Sequence, residues 1–280
     1  VQQLSADQYA PQRARGSGRL VTKLVGGQTK LDEFFQEGCA KIRLPETFSP
    51  EMEAILINTS GGLTGGDVIE WSVAAAPSTR LSVTTQANEK IYKAASDTAS
   101  VSTDIRVGDN ASVHWLPQET ILFDQASLTR RLDVDLAENA EFLAVEAVLL
   151  GRKAMGEAVA RGFFRDRWRV RRNGRLIHAE ELRFEGEIEQ LTQAAAVLSG
   201  QVAFATLFHT GPLSEAMLPR LRECLGNAGG ASLWTGGASH WNGKLIARIA
   251  APTGFDLRKI LVPAISVLRN GAPVPKVWHI

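Results

Sequence analysis

Short stretches in which apolar and polar residues alternate recur along this chain from Arg19 onward, the period of strands that bury one face. Leu20, Thr22 and Leu24 alternate with Val21, Lys23 and Val25 before Gly26-Gly27, and Ala40–Leu44 ends at Pro45. Further runs follow at Ala54–Ile57, Val68–Val73 and Leu81–Thr85. Val101, Thr103, Ile105 and Val107 fall at period two before the turn Gly108-Asp109-Asn110, and Ser112–Leu116 follows it. Leu128, Arg130, Leu132, Val134 and Leu136 share one face of another run. Glu141–Leu150 fits a helix nearly as well as a strand, and its neighbours decide for a strand. Residues 1–18 have no apolar period and predict a frayed tail, which leaves residues 19–280 as a single β domain.

Asn173-Gly174 tolerates the positive φ of a two-residue type I′ turn and predicts a hairpin over Phe164–Phe184. That turn sets Arg167 opposite Glu180 and Arg169 opposite His178. It also places Arg165, Arg167, Arg169 and Arg171 on one face, with Phe164, Asp166, Trp168 and Val170 on the other. The arginine row reads either as a solvated basic face, where an exposed ion pair contributes at most ~1 kcal/mol, or as a docking surface for an acidic partner.

Helical spacing is confined to the last quarter. Ser214 caps one helix, which carries Leu218, Leu221 and Leu225, holds Pro219 deep inside and ends at Gly226 or Asn227. A second runs about Asp256–Leu268, is interrupted by Pro263 and stops at Asn270-Gly271. Ala231–Trp234 and Lys244–Ala251 read as strands between the two. Many strands, two helices, no regular βα alternation and no fixed-period repeat predict a mainly β fold, large and chiefly antiparallel, with its helices in the C-terminal half.

The least random stretch is Asn58-Thr59-Ser60-Gly61-Gly62-Leu63-Thr64-Gly65-Gly66-Asp67, between two predicted strands. Glycine there supplies positive φ or lets a second backbone approach, and Asn58 and Asp67 can bond neighbouring amides. Composition adds limits rather than a function. The 280 residues are 44% apolar, and 31 basic against 30 acidic residues leave a net charge of +1, so no whole-chain polyelectrolyte role follows. Cys39 and Cys224 have no partner at metal or redox spacing and predict reduced thiols in a cytosol-like compartment. The longest apolar run, Ala194–Leu198, is far shorter than a membrane span requires, and the predicted location is cytoplasmic.

A phosphate-binding loop would end in Gly-Lys-Ser or Gly-Lys-Thr and open a helix, whereas this corner ends in Gly-Gly-Asp and opens a strand. The histidines, His114, His178, His209, His240 and His279, show no metal-ligand spacing, and no Gly-x-Ser-x-Gly elbow occurs. Four acids stand among apolar or glycine-rich neighbours: Asp67, Glu89, Glu146 and Glu180. Buried acids must be paired, be hydrated or line a passage. Glu180 has Arg167 as its expected partner. An enzyme reading would use the corner as an anion site with Asp67 or His114 as the acid–base group. An RNA-binding surface would need exposed aromatics beside the arginines, and Trp168 falls on the opposite face.

Three blocks in order, Asn58–Asp67, Thr84–Lys93 (Thr-Thr-Gln-Ala-Asn-Glu-Lys-Ile-Tyr-Lys) and Trp115–Asp124 (Trp-Leu-Pro-Gln-Glu-Thr-Ile-Leu-Phe-Asp), closely resemble the urease accessory protein UreD family, called UreH in some organisms. Leu150-Gly151-Arg152, Gly156-Glu157 and the closing Pro275-Lys276-Val277-Trp278 fit as well. The resemblance implies a helix-like stack of strands without enzymatic turnover of its own. It implies a scaffold that binds urease apoprotein (UreABC) and recruits UreF and, through it, the GTPase UreG for nickel insertion, with no membrane or nucleic-acid partner. It further implies a polar internal tunnel for nickel, with no tightly bound cofactor. Asp67, Glu146, Glu180 and Glu89 then become candidate tunnel positions, because hard oxygen groups pass a hydrated cation that imidazole or thiolate clusters would hold.

Overall fold

The computed structural model describes residues 12–47, 49–152, 156–226 and 234–279. Strands β1 (Arg15–Val25), β2 (Gln28–Gly38), β3 (Ala40–Arg43) and β4 (Met52–Asn58) lead into the glycine corner. Next come β5 (Val68–Ala75), β6 (Arg80–Thr85), β7 (Glu89–Ile91), β8 (Ala99–Val107), β9 (Ser112–Leu116), β10 (Thr120–Leu122), β11 (Ser127–Leu136) and β12 (Glu141–Leu150). The hairpin β13 (Arg161–Arg172) and β14 (Arg175–Glu187) precedes α1 (Ile188–Gln193), β15 (Ala203–Thr210), α2 (Ser214–Gly226), β16 (Thr235–Trp241), β17 (Lys244–Ala251) and α3 (Gly254–Leu268).

The chain is a mainly β, helix-like stack of strands with its helices in the C-terminal half, as expected, but the central pairings are parallel rather than antiparallel. One sheet has the order β14-β13-β11-β8-β5-β1-β2; the other runs β16-β17-β15-β12-β9-β6-β4-β3, with β7 and β10 paired beside it. Successive strands cross from one sheet to the other and return, so β5, β8, β11 and β13 pair in parallel, as do β4, β6, β9 and β12. Antiparallel pairs lie at the edges, as in β1–β2, β3–β4 and β13–β14. Val68 pairs with Ser100 and Ala99 with Leu128, a coil of roughly 30 residues, within the range of solenoid repeats. The coils share a spacing but no side-chain motif, so the alternation shows strands without showing which strand lies beside which.

Two cores result. Leu20, Trp71, Ile105, Leu132, Phe164 and Trp168 fill the gap between the sheets. The second sheet buries its other face, including Leu143, Val145, Leu207 and Ile249, against Leu221 of α2 and Leu257, Leu261 and Leu268 of α3. The strand β12 is therefore covered on both sides, which explains the near-continuous apolar run of Glu141–Leu150. Both expected helices form. Thr253 caps α3 by accepting a hydrogen bond from the Asp256 amide, 3.1 Å, and the helix continues past Pro263 to Leu268.

Several expectations need correction. The tail boundary is earlier: Arg15–Gly18 already lie in β1, and residues 1–11 fall outside the described residues. The edge strand β2 was not foreseen, because it buries little and alternates poorly. Of the expected strand Ala231–Trp234, residues 231–233 lie outside the described residues and the strand begins at Thr235. In the hairpin the two faces are as predicted, but a bulge beside Val170 slips the register by one. Arg167 faces Glu181, Trp168 faces Glu180, and Val170 faces His178.

Candidate functional site

The three sequence blocks stack at one end of consecutive coils. Leu63 bridges to Ile91 in β7, β7 pairs in parallel with β10, and β10 pairs with the end of β12. Leu63, Ile91, Leu122 and Leu150 are all buried. The glycines permit this stacking: a Cβ on Gly62 would stand 2.4 Å from the Tyr92 ring, and one on Gly65 would stand 2.0 Å from the Ser96 carbonyl. Several corner amides are engaged within the fold. Ser60 donates to the Asn58 side chain, Leu63 to the Lys90 carbonyl and Thr64 to Asp67 Oδ2.

Beside the corner lies a cavity of about 470 Å³ lined by Asn58, Trp71, Gln86, Asn88, Glu89 and Lys90, among others. Asn58 Nδ2 donates to Glu89 Oε1 over 3.0 Å, and burial pushes the Glu89 carboxyl up to about 7 against that hydrogen bond. Asn88 Nδ2 donates to buried Glu119, which also accepts from Arg258 Nε of α3 at 2.6 Å. In the β7–β10 ladder Glu89 is the register partner of Thr120.

Thr120 leads into the inter-sheet space. Its hydroxyl accepts from Arg130 Nη1, 2.9 Å, and Arg130 lies between two carboxylates. Nη1 stands 2.5 Å from Glu146 Oε2, while Nε and Nη2 donate to the two oxygens of Asp166 at 3.1 and 2.7 Å. Trp115 Nε1 donates to Glu146 Oε1 and Trp168 Nε1 to Asp166. All three charged residues are buried. Burial raises the Glu146 pKa against the pull of Arg130, and both acids hold the guanidinium charged against burial. Two acids for one base leave this cluster short of positive charge.

The four predicted acids are not brought to one place. Glu146 contacts Arg130, which bonds Thr120, and Glu89 is the neighbour of Thr120 in the β7–β10 backbone register. Asp67 stands apart as an anchor whose Oδ1 accepts from the Ala14 amide and Oδ2 from the Thr64 amide, each at 2.8 Å. Glu180 lines a different cavity on β14, where Arg248 Nη2 donates to both its oxygens at 2.7 Å and His178 lies 3.5 Å away. Its expected partner Arg167 pairs instead with Asp133. His114 lines a third cavity, with Asn110 and Asn139, so the corner and His114 do not meet as the enzyme reading requires.

On the outer face of the first sheet, Arg165 and Arg169 share Glu181, Arg167 and Arg171 share Asp133, and Arg131 bonds Asp104 and Asp133. These five guanidiniums thus share three carboxylates. Arg130, Asp166, Glu119 and Arg258 were not anticipated as site residues. A signal existed for the first two, since each interrupts an apolar face, and charges so placed call for partners.

No helix among the described residues is long and apolar enough to cross a membrane, and Cys39 and Cys224 are free thiols. A family model described as "UreD urease accessory protein" matches residues 14–279. The chain is 65% identical to a urease accessory protein UreD of Agrobacterium fabrum, covering 96% of this chain and 92% of the relative. It is 62% identical to that of Rhizobium rhizogenes over 99% of each, and 50% identical to that of a Chelativorans species over 96% and 95%. With its stacked corner blocks and charged interior, the chain belongs to the UreD urease accessory protein family.

Proposed function

We propose that this protein serves urease maturation in the cytoplasm as a non-catalytic scaffold. It binds urease apoprotein and recruits UreF and, through it, the GTPase UreG, whose hydrolysis of GTP drives nickel delivery. Nickel is cargo on this reading, not a resident cofactor. The near-full-length match to UreD relatives carries the proposal. The adjacency of cavity-lining Glu89 to Thr120, whose hydroxyl bonds Arg130 beside Glu146, supports an internal polar route, because it sets a surface cavity next to an inter-sheet cluster with two carboxylates for one guanidinium. Oxygen donors of this kind suit transient passage of a hydrated divalent cation. The arginine-rich outer face, Arg165, Arg167, Arg169 and Arg171, is assigned to docking an acidic partner surface.

The test is coexpression of urease apoprotein with the remaining accessory factors, with and without this chain, followed by urease assay after nickel is supplied. Activation that depends on the chain supports the reading. Equal activation without it overturns the role in maturation.

A further inference from the structure

At the C-terminal end of α3, the side chain of Arg269 reaches down to the second sheet. Nη1 donates to Ser82 Oγ at 2.6 Å and lies 2.7 Å from His114 Nδ1, and Nη2 donates to Glu51 Oε2 at 3.2 Å. Ser82 in turn donates to Glu51. Arg269 and Ser82 are buried, and His114 is largely so. A guanidinium has only donors and keeps its charge in proteins. The contact with His114 therefore requires a lone pair on Nδ1, which places the single imidazole proton on Nε2.

Protonation of His114 sets it against Arg269 in this arrangement. A proton on Nδ1 would meet an arginine N–H at hydrogen-bond distance, donor against donor and cation against cation. The groups that would hold the imidazolium are already in place: Glu51 Oε1 is 3.5 Å from Nδ1, and Glu141 Oε1 is 3.8 Å from Nε2. His209 Nε2 shares Glu141 at 3.3 Å. Arg80 lines the adjoining cavity of about 520 Å³, which gives a displaced guanidinium room to turn, and Glu53 lies near Glu51 and Arg269. Among the described residues neither His114 Nε2 nor Arg269 Nε has a hydrogen-bond partner, so neither atom opposes a rearrangement.

We propose that His114 and Arg269 form a pH-dependent clasp, closed while His114 is neutral, which holds the C-terminal end of α3 on the second sheet and opens when His114 is protonated. Burial disfavours the imidazolium, but Glu141 and Glu51 outweigh it and raise the His114 pKa above its ordinary value of 6.5, even with Arg269 opposing. Because Arg269 lowers that pKa, losing the contact raises it further, so protonation favours the open clasp and rising pH the closed one. Opening removes one tether from the last turn of α3, whose Ile265 and Leu268 stay packed on the second sheet, and leaves the inter-sheet core undisturbed.

The test combines 15N NMR of the His114 imidazole with amide hydrogen exchange in the full chain between pH 6 and 9, corrected for intrinsic rates. The expected result is the Nε2–H tautomer at high pH, with protection at residues 266–271 rising about tenfold as His114 loses its proton. His114→Asn keeps an acceptor near Nδ1 but cannot be protonated, so its protection should be flat and high. Arg269→Gln should raise the His114 midpoint and abolish the protection step. An Nδ1–H tautomer at high pH, protection unchanged across the titration, or an identical profile in His114→Asn overturns the proposal. Should either variant fail to fold, the wild-type tautomer and protection profile decide alone.

Discussion

Arg130 Nη1 of β11 stands 2.5 Å from Glu146 Oε2 of β12, so this buried ion pair joins one sheet to the other. Removing one member of a buried ionic group leaves the others uncompensated, a loss of about 3–5 kcal/mol. Arg130→Met should therefore destabilise the protein by about that much in urea denaturation, since Glu146 and Asp166 both lose their partner. Combining it with Glu146→Gln and Asp166→Asn should recover most of the loss. A single Arg130→Met variant as stable as the native protein would mean the acids are already neutral or hydrated.

Glu89 gives stability a specific pH dependence. Its carboxyl is raised from 4.5 to about 7 by burial, so between those values the folded protein binds a proton that the unfolded chain has released. Its contribution is complete below about 4.5 and is lost as pH rises through about 7. Glu89→Gln keeps an acceptor for Asn58 and should stabilise the protein at pH 8 by about 2–3 kcal/mol while changing little at pH 4. Denaturation midpoints measured across that range check the sign, and a Gln variant less stable at pH 8 contradicts it.

Asp67 is expected to matter for architecture first. Asp67→Ala strands two amides, those of Ala14 and Thr64, each costing about 1–3 kcal/mol where water cannot replace the acceptor. A clear drop in thermal midpoint should accompany any loss of urease activation. Loss of activation at unchanged midpoint would restore Asp67 to the nickel route.

Arg167 separates docking from folding. Its contact with Asp133 is partly exposed, so Arg167→Glu should shift stability by no more than about 1 kcal/mol. Copurification with an acidic partner surface should weaken, and more at low salt than at high salt. Undiminished copurification at both salt levels would reduce the arginine face to a solvated surface.

How much of this was legible depends on what kind of information each feature needs. Alternation is local, so β8, β9 and β11 and the two faces of β13 could be read directly, and Ser214 and Asn270-Gly271 marked helix ends. Pairing is not local: nothing in Val68–Val73 says that Ala99–Val107 lies parallel beside it, which is why the expected antiparallel sheet gave way to coils. The slip that moved Arg167 from Glu180 to Glu181 arises from one extra residue near Ile177, invisible to a rule that counts outward from the turn. For the site, Glu89 and Glu146 stood out as misplaced acids. The adjacency of Glu89 to Thr120 required knowing that two short segments stack in register.

The coil arrangement also bears on how the chain acquires its structure. The parallel strands from β4 to β12 pair with neighbours roughly 30 residues away, so a coil can dock on its predecessor soon after both exist, a route open to a chain emerging from the ribosome. The helical layer cannot follow that schedule. Arg258 meets Glu119 across 139 positions and Arg269 meets Glu51 across 218, so α3 can settle only after the coils beneath it are built. Until then the outer face of the second sheet, with Leu143, Val145 and Leu207, stands bare, and the interval before α3 arrives is when the nascent protein is most exposed to aggregation.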